Sequence, residues 1–198
     1  MDRLPTLIAI VAAALATPGC NDRSEPAGAP PPRTNGARVA TGQGASTEAF
    51  CDVHATDDSG AVFHWPELAG GAAPPATSGW RWVNVWATWC KPCIAEMPRL
   101  AAWPSKLAAA DKRVALTFLS VDDADADIAA FRKDHPDAPP SIRVAGNDQR
   151  TAWLRSLHLS DGAIPIHLFV SPANRLRCAR AGEVREQDLG VIEKLLAE

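Results

Sequence analysis

The residues best placed to do chemistry are two cysteines separated by two positions, Cys90 and Cys93 in "NVWATWCKPC" (residues 84–93). Such a pair can be half of a zinc site, a haem attachment point, a structural bridge or a redox-active dithiol. Covalent haem attachment needs His directly after the second cysteine, and Ile94 stands there. Structural zinc needs a second ligand pair at finger-like spacing. Cys51 and His54 are the only nearby candidates, and an ordinary loop histidine explains the second of them far better. Thiol-disulfide chemistry is the reading that the spacing leaves standing.

That chemistry needs a scaffold that presents one sulfur and shelters the other. Residues 81–88, "RWVNVWAT", read as a buried strand of β-branched and aromatic residues. A helix opening on "CKPC" then places Cys90 at its N-terminus, where free backbone N–H groups and the helix dipole favour a thiolate. Cys93 follows one helical turn later, within reach of Cys90 from the more buried side. Pro92 falls in the first turn, where its missing N–H costs nothing. Lys91, between the cysteines, favours the Cys90 thiolate electrostatically or simply projects into water. Trp89 is expected to shield the sulfurs and Trp86 to be core.

The rest of the chain supplies a layered α/β pattern. The helix from residue 90 to 113 contains Pro98 and Pro104, which predicts a kinked or broken helix. "VALTFLSVDD" reads as a second strand and "DADIAAFRKDH" as a helix with an acidic first turn. Residues 149–158 suggest a short helix. "IPIHLFV" and "RLRCARA" read as two strands joined by "SPAN", a tight turn, and Leu189, Val191, Ile192, Leu195 and Leu196 stripe a closing helix. Alternating strands and helices that end in a hairpin predict a helix-covered mixed sheet with an antiparallel edge. "DDADAD" (122–127) only superficially resembles a calcium loop. Counting from Asp123, Ile128 takes the place of the required Gly and Asp134 that of the closing Glu, so a strand end and helix cap fit better.

Composition narrows the function classes. The chain has 198 residues and a formal net charge of −3 with both signs intermixed, so no basic field exists to hold nucleic acid. Residues 1–20 carry Arg3, an apolar run from Leu4 to Ala16 and small residues before Cys20, the outline of an export signal. Gly19 before Cys20 resembles a lipoprotein signal, with Cys20 as the lipid-modified residue, although Thr17 and Pro18 depart from the usual pattern. Residues 21–47 are rich in Pro, Gly, Ala and Ser and predict a flexible tether of roughly 30 Å. A folded domain is expected over 48–198.

"NVWATWCKPCIAEMP" resembles the active-site stretch of the thioredoxin-like, membrane-tethered bacterial thiol-disulfide oxidoreductases of the TlpA, ResA and DsbE type. The likeness is specific over these fifteen residues and looser over the expected domain. It implies a thioredoxin fold, a central mixed sheet with a C-terminal antiparallel hairpin and helices on both faces, and a cis-proline facing the cysteines, matched by Pro165. A cis bond after Ile164 would leave that residue's backbone free to pair with an incoming peptide strand. Where the family more often has Thr after this proline, Ile166 and then His167 follow, so substrate contacts are expected to differ. Glu96 matches an acidic residue of the motif and is either a proton shuttle for Cys93 or a favourable carboxylate in the first turns of a helix. Asn84 stands where thioredoxin has a buried acid, which adds weight to the shuttle.

Some members of the family carry a second, structural bridge from the segment before the core to the terminal hairpin, and by that likeness Cys51 is expected to pair with Cys178. The resemblance further implies an enzyme in the periplasm, attached to the membrane by lipid or signal anchor. It would be fed by a membrane thiol-electron donor and would reduce disulfide-containing client proteins in cytochrome c maturation or at copper-site cysteines. No cofactor is implied, and no metal of its own. The same chemistry run as an oxidase or isomerase is the first alternative. A non-catalytic Cu(I)-binding chaperone is the second, although related copper-delivery domains space their cysteines by three residues.

Overall fold

The computed structural model describes residues 46–159 and 162–198. The expectations for an export signal, for Cys20 and for most of the tether lie outside the described residues. The first described element is α1 (Thr47–Phe50), whose Ser46 cap accepts a hydrogen bond from the Ala49 N–H at 3.1 Å. A two-residue strand, β1 (Val53–His54), follows.

The centre of the molecule is β2 (Trp80–Trp86), which is buried from Arg81 onward. It runs parallel to β3 (Val114–Ser120) on one side and antiparallel to β5 (Ile166–Val170) on the other. Outside these lie β4 (Ser141–Arg143), parallel to β3, and the hairpin partner β6 (Leu176–Ala181), which also pairs with β1. The sheet order is β1-β6-β5-β2-β3-β4. In the hairpin turn Asn174 takes φ 60°, a conformation that asparagine tolerates better than most residues. The sequence analysis missed β1 and β4. Two and three residues long, they have too little alternation to stand out and are specified by the partner strand.

The connections α2 (Lys91–Ala109) and α3 (Asp125–Asp134) lie on the face that carries Trp82, Asn84 and Trp86. Trp82 packs on Trp103 of α2, and Trp86 on Phe131 of α3. The opposite face carries Arg81, whose guanidinium lies over the Phe63 ring; Trp153 of α4 (Asn147–Ser156) meets that ring edge-on. The closing helix α5 (Leu189–Leu195) buries Val191, Ile192 and Leu195 and lies against α1.

Of the two forms expected for α2, the broken one is excluded, since the helix continues through both Pro98 and Pro104 over 19 residues. An interior proline costs about 3 kcal/mol. Here Leu100, Trp103 and Leu107 are wholly buried on the same helix, and side chains of this size contribute roughly 1.5–3 kcal/mol each when removed from water. Packing outweighs the local penalty. The strand expected over 81–88 also ends earlier, at Trp86, because Ala87 and Thr88 turn away toward the cysteines.

The structure joins Cys51, next to α1, to Cys178 of β6 across a separation of 127 residues, with Cα atoms 5.4 Å apart. In the chain-entropy picture, closing so long a loop stabilises a domain by about 3–5 kcal/mol. Replacing both cysteines by Ala should therefore lower the urea midpoint, with a larger m-value because the unfolded chain is no longer held compact. An unchanged midpoint would show that the bridge contributes nothing to stability.

Candidate active site

The cysteine pair sits at the junction of β2 and α2. Cys90 is the N-cap of α2, with Lys91 and Pro92 as the first helical residues, and its Sγ accepts from the Cys93 N–H at 3.3 Å. The two cysteines are disulfide-bonded in this structure, with Cα atoms 5.3 Å apart. Cys90 is nearly buried at 5% exposure, while Cys93 has none. Lys91 and Pro92 are exposed, so the ammonium group projects into water beside the helix start. Trp89 is 64% exposed and Trp86 is core. Trp89 thus presents a largely exposed apolar side chain directly before Cys90.

The turn that presents Cys90 is held by a carboxylate that the sequence analysis treated only as a strand end. Asp122 follows β3, and its oxygens accept from the Thr88 N–H at 3.1 Å, the Thr88 hydroxyl at 2.7 Å and the Ser120 hydroxyl at 2.6 Å. The Val121 N–H donates to Trp86 O, which extends the β2–β3 pairing up to this point. Asp122 is therefore the strut that stops β2 and turns the chain into the helix. Its signal in the sequence was a polar residue directly after an apolar strand, a position shared by many simple strand ends.

Pro165 lies at the same end of the sheet, because Val85 pairs with Ile166 and the preceding residue falls beside the β2 exit. The Ile164–Pro165 peptide is cis. The Pro165 carbonyl accepts from the Gly182 N–H, whereas Ile164, half-buried, makes no backbone hydrogen bond among the described residues. Its N–H and C=O remain available to an added strand.

Behind the cysteines, Glu96 has no exposure at all and faces the sheet. Oε1 accepts from Asn84 Nδ2 at 3.0 Å, and Oε2 from the Val184 N–H at 2.8 Å. His167 Nε2 lies 3.2 Å from Oε1, a close polar contact without the alignment of a full hydrogen bond. Every polar neighbour thus offers a donor, as a buried carboxylate requires. The loop that carries Val184 is itself held, since Arg99 donates to the Val184 carbonyl at 2.6 Å and pairs with Glu183 at 3.3 Å. The sequence analysis noted His167 as a departure from the family pattern and gave it no partner. Its position on the same sheet face as Trp82 and Asn84 was the available signal. Among the described residues no group of three His, Cys, Asp or Glu side chains could hold a metal ion.

Sheet order, cysteine-led helix and proline before β5 together make this a thioredoxin fold. No protein-family model matches the sequence, and no curated protein matches it significantly. Solved structures do. The thioredoxin-related protein from Neisseria meningitidis serogroup B is 29% identical, with 66% of this chain and 98% of that one covered at a TM-score of 0.52. A thiol:disulfide interchange protein from Bacteroides sp. is 20% identical over 73% and 92%, at 0.53. The thioredoxin domain of a thiol-disulfide oxidoreductase from Bacteroides vulgatus is 18% identical over 72% and 99%, at 0.50. The structural likeness shows the same thioredoxin fold that the motif around the cysteines implies.

Replacing Asp122 by Ala would strand the Thr88 N–H and leave two hydroxyls without their acceptor. Each unsatisfied buried donor costs about 1–3 kcal/mol, so a loss of roughly 2–3 kcal/mol in a denaturant titration is expected, with slower reaction of Cys90 toward an aromatic disulfide. Unchanged stability and reactivity would remove the strut role.

Proposed function

We propose that this chain is an exported thiol-disulfide oxidoreductase that reduces disulfides of client proteins. The observation that carries the reading is the asymmetry of the cysteine pair. Cys90 caps a helix after an exposed Trp89, at the sheet end where the Ile164 backbone has no hydrogen bond among the described residues, whereas Cys93 has no exposure. Such an arrangement separates a sulfur that meets the client from one that resolves the complex. The thiol:disulfide interchange proteins among the structural neighbours support the same chemistry.

In the reductive direction the Cys90 thiolate attacks one client sulfur. A bond forms between Cys90 and that sulfur, the client disulfide breaks, and its second sulfur leaves as a thiolate. Cys93 then gives its proton to the Glu96 carboxylate one helical turn away, and its electron pair forms the Cys90–Cys93 bond. The client sulfur leaves Cys90 with the bonding pair. Two electrons have passed to the client, and the protein holds the disulfide seen here. A membrane thiol donor must restore the dithiol for another cycle. Attachment through Cys20 and the 21–47 tether would hold the domain near such a donor, with clients in cytochrome c maturation or at copper sites.

A Cys93→Ser variant should accumulate mixed disulfides through Cys90 in cells, trapped and identified under non-reducing conditions. A folded, exported variant that traps none would count against the exchange mechanism. The direction is read from the reduction potential of the Cys90/Cys93 pair in the full chain, followed by tryptophan fluorescence in thiol buffers. A value at or below about −250 mV fits a reductase, and one near about −120 mV would make it an oxidant and overturn the proposed direction.

A further inference from the structure

His167 is wholly buried and plays no part in the exchange as written above. Its hydrogen bonds fix where its proton sits. Trp82 Nε1–H, which can only donate, lies 3.2 Å from His167 Nδ1, and Asn84 Nδ2 lies 3.5 Å from the same atom. The Asn84 amide cannot turn over, because that would set its oxygen against Glu96 Oε1. Two donors aimed at Nδ1 make it an acceptor, so the ring proton resides on Nε2, the atom 3.2 Å from the Glu96 carboxylate.

We propose that His167 is a positioning residue for the proton step at Cys93: Trp82 and Asn84 hold it as the Nε2–H tautomer, so that it donates toward Glu96 and keeps that carboxylate ready to take the Cys93 thiol proton. This deepens the exchange reading and rests on it. The balance of the step is unchanged. The proton passes from Cys93 Sγ to Glu96 while the Cys93 electron pair enters the new S–S bond. His167 neither gains nor loses a proton; it sets how favourable the charged form of the acceptor is.

The surroundings supply no competing acid or base for that role. On the sheet, Glu96 meets Asn84 from β2 and His167 from β5. From the loop after β6 it meets the Val184 N–H, with Arg99 of its own helix bound to the far side of that loop and to Glu183. His167 in turn has Trp82 and Asn84 on β2, and its cross-strand partner on β6 is Arg180. The Arg180 guanidinium is turned away to the Phe50 carbonyl at 2.9 Å and over the Phe50 ring. Cys93, one turn before Glu96, is the remaining titratable group on that helix face.

The test is the rate at which the reduced full chain closes its disulfide, followed by stopped-flow tryptophan fluorescence against pH. Oxidised glutathione is used at concentrations where the rate has ceased to rise, so that attack by Cys93 is observed. Removing a donor from a carboxylate makes its charged form less favourable. In His167→Leu the acidic limb of the profile should therefore move to higher pH by about one unit, or about tenfold in rate at a fixed pH on that limb. His167→Gln, which offers one donor and one acceptor and does not titrate, should restore the limb. A His167→Leu profile that overlays the wild type, or a His167→Gln profile displaced as far as that of Leu, would overturn the assignment. Should His167→Leu not fold, 15N spectra of the histidine-labelled wild-type protein decide. The Nε2–H tautomer is expected, and the Nδ1–H tautomer would refute the proposal. A wild-type chain that fails to close a mixed disulfide at any pH would instead remove the exchange reading itself.

Discussion

Burying a carboxylate between a helix and a sheet is the constraint on which this architecture turns. Glu96 has no access to water, and an unpaired charge in that position would cost several kcal/mol. Its donors come from three separate places: Asn84 on β2, His167 on β5 and the Val184 backbone beyond β6. All three must be in register at once. A slip of one residue in either strand would turn Asn84 or His167 to the other face and leave the charge uncompensated. The ion thus contributes more to specificity of packing than to net stability, and it fixes how α2 lies on the sheet.

The position of α2 decides what its first residue can do. Asp122 holds the turn before the helix from the β3 side, and Glu96 holds the helix two turns further on from the β2, β5 and β6 side. Between these two carboxylates lie Cys90 and Cys93, so the reactive turn is fixed at both ends by buried charge-assisted hydrogen bonds. Exposure is left to Trp89, Lys91 and Pro92. A rigid support with a small accessible face suits a nucleophile that must meet many partners without rearranging.

Much of this was legible in the sequence, and the reason differs by element. The cysteine-led helix was readable because strand, turn and N-terminal Pro92 are local signals. The thioredoxin fold, and the placing of Pro165, came from the resemblance of "NVWATWCKPCIAEMP", which local propensities alone do not supply. At α2 the choice between kink and break stayed open because proline propensity is local while the burial of Leu100, Trp103 and Leu107 is tertiary. The exposure of Trp89 was not readable, because a tryptophan beside a buried pair can fold inward or outward, and spacing does not distinguish the two. Asp122 and His167 were missed for a common reason. Their partners, Thr88 and Trp82, lie 34 and 85 residues away in sequence, and only the sheet brings them together.

The two networks also differ in what they can exchange with water, and that difference fits the two sulfurs they serve. Cys90 stands beside exposed residues, where a leaving client thiolate can draw a proton from solvent. Cys93 has no exposure, and neither have Glu96, His167, Trp82 and Asn84, so its sulfur lacks the direct access to water that the residues beside Cys90 enjoy. In the exchange proposed above the Cys93 proton goes to Glu96, whose polar neighbours are a backbone N–H, an amide and an imidazole. A lysine or arginine in direct contact would hold the carboxylate more firmly and make it a weaker base. The nearest arginines are engaged elsewhere, Arg99 with Val184 O and Glu183, and Arg180 with Phe50. Among the described residues Glu96 is thus met by no lysine or arginine side chain, the arrangement that the proposed transfer from Cys93 asks for.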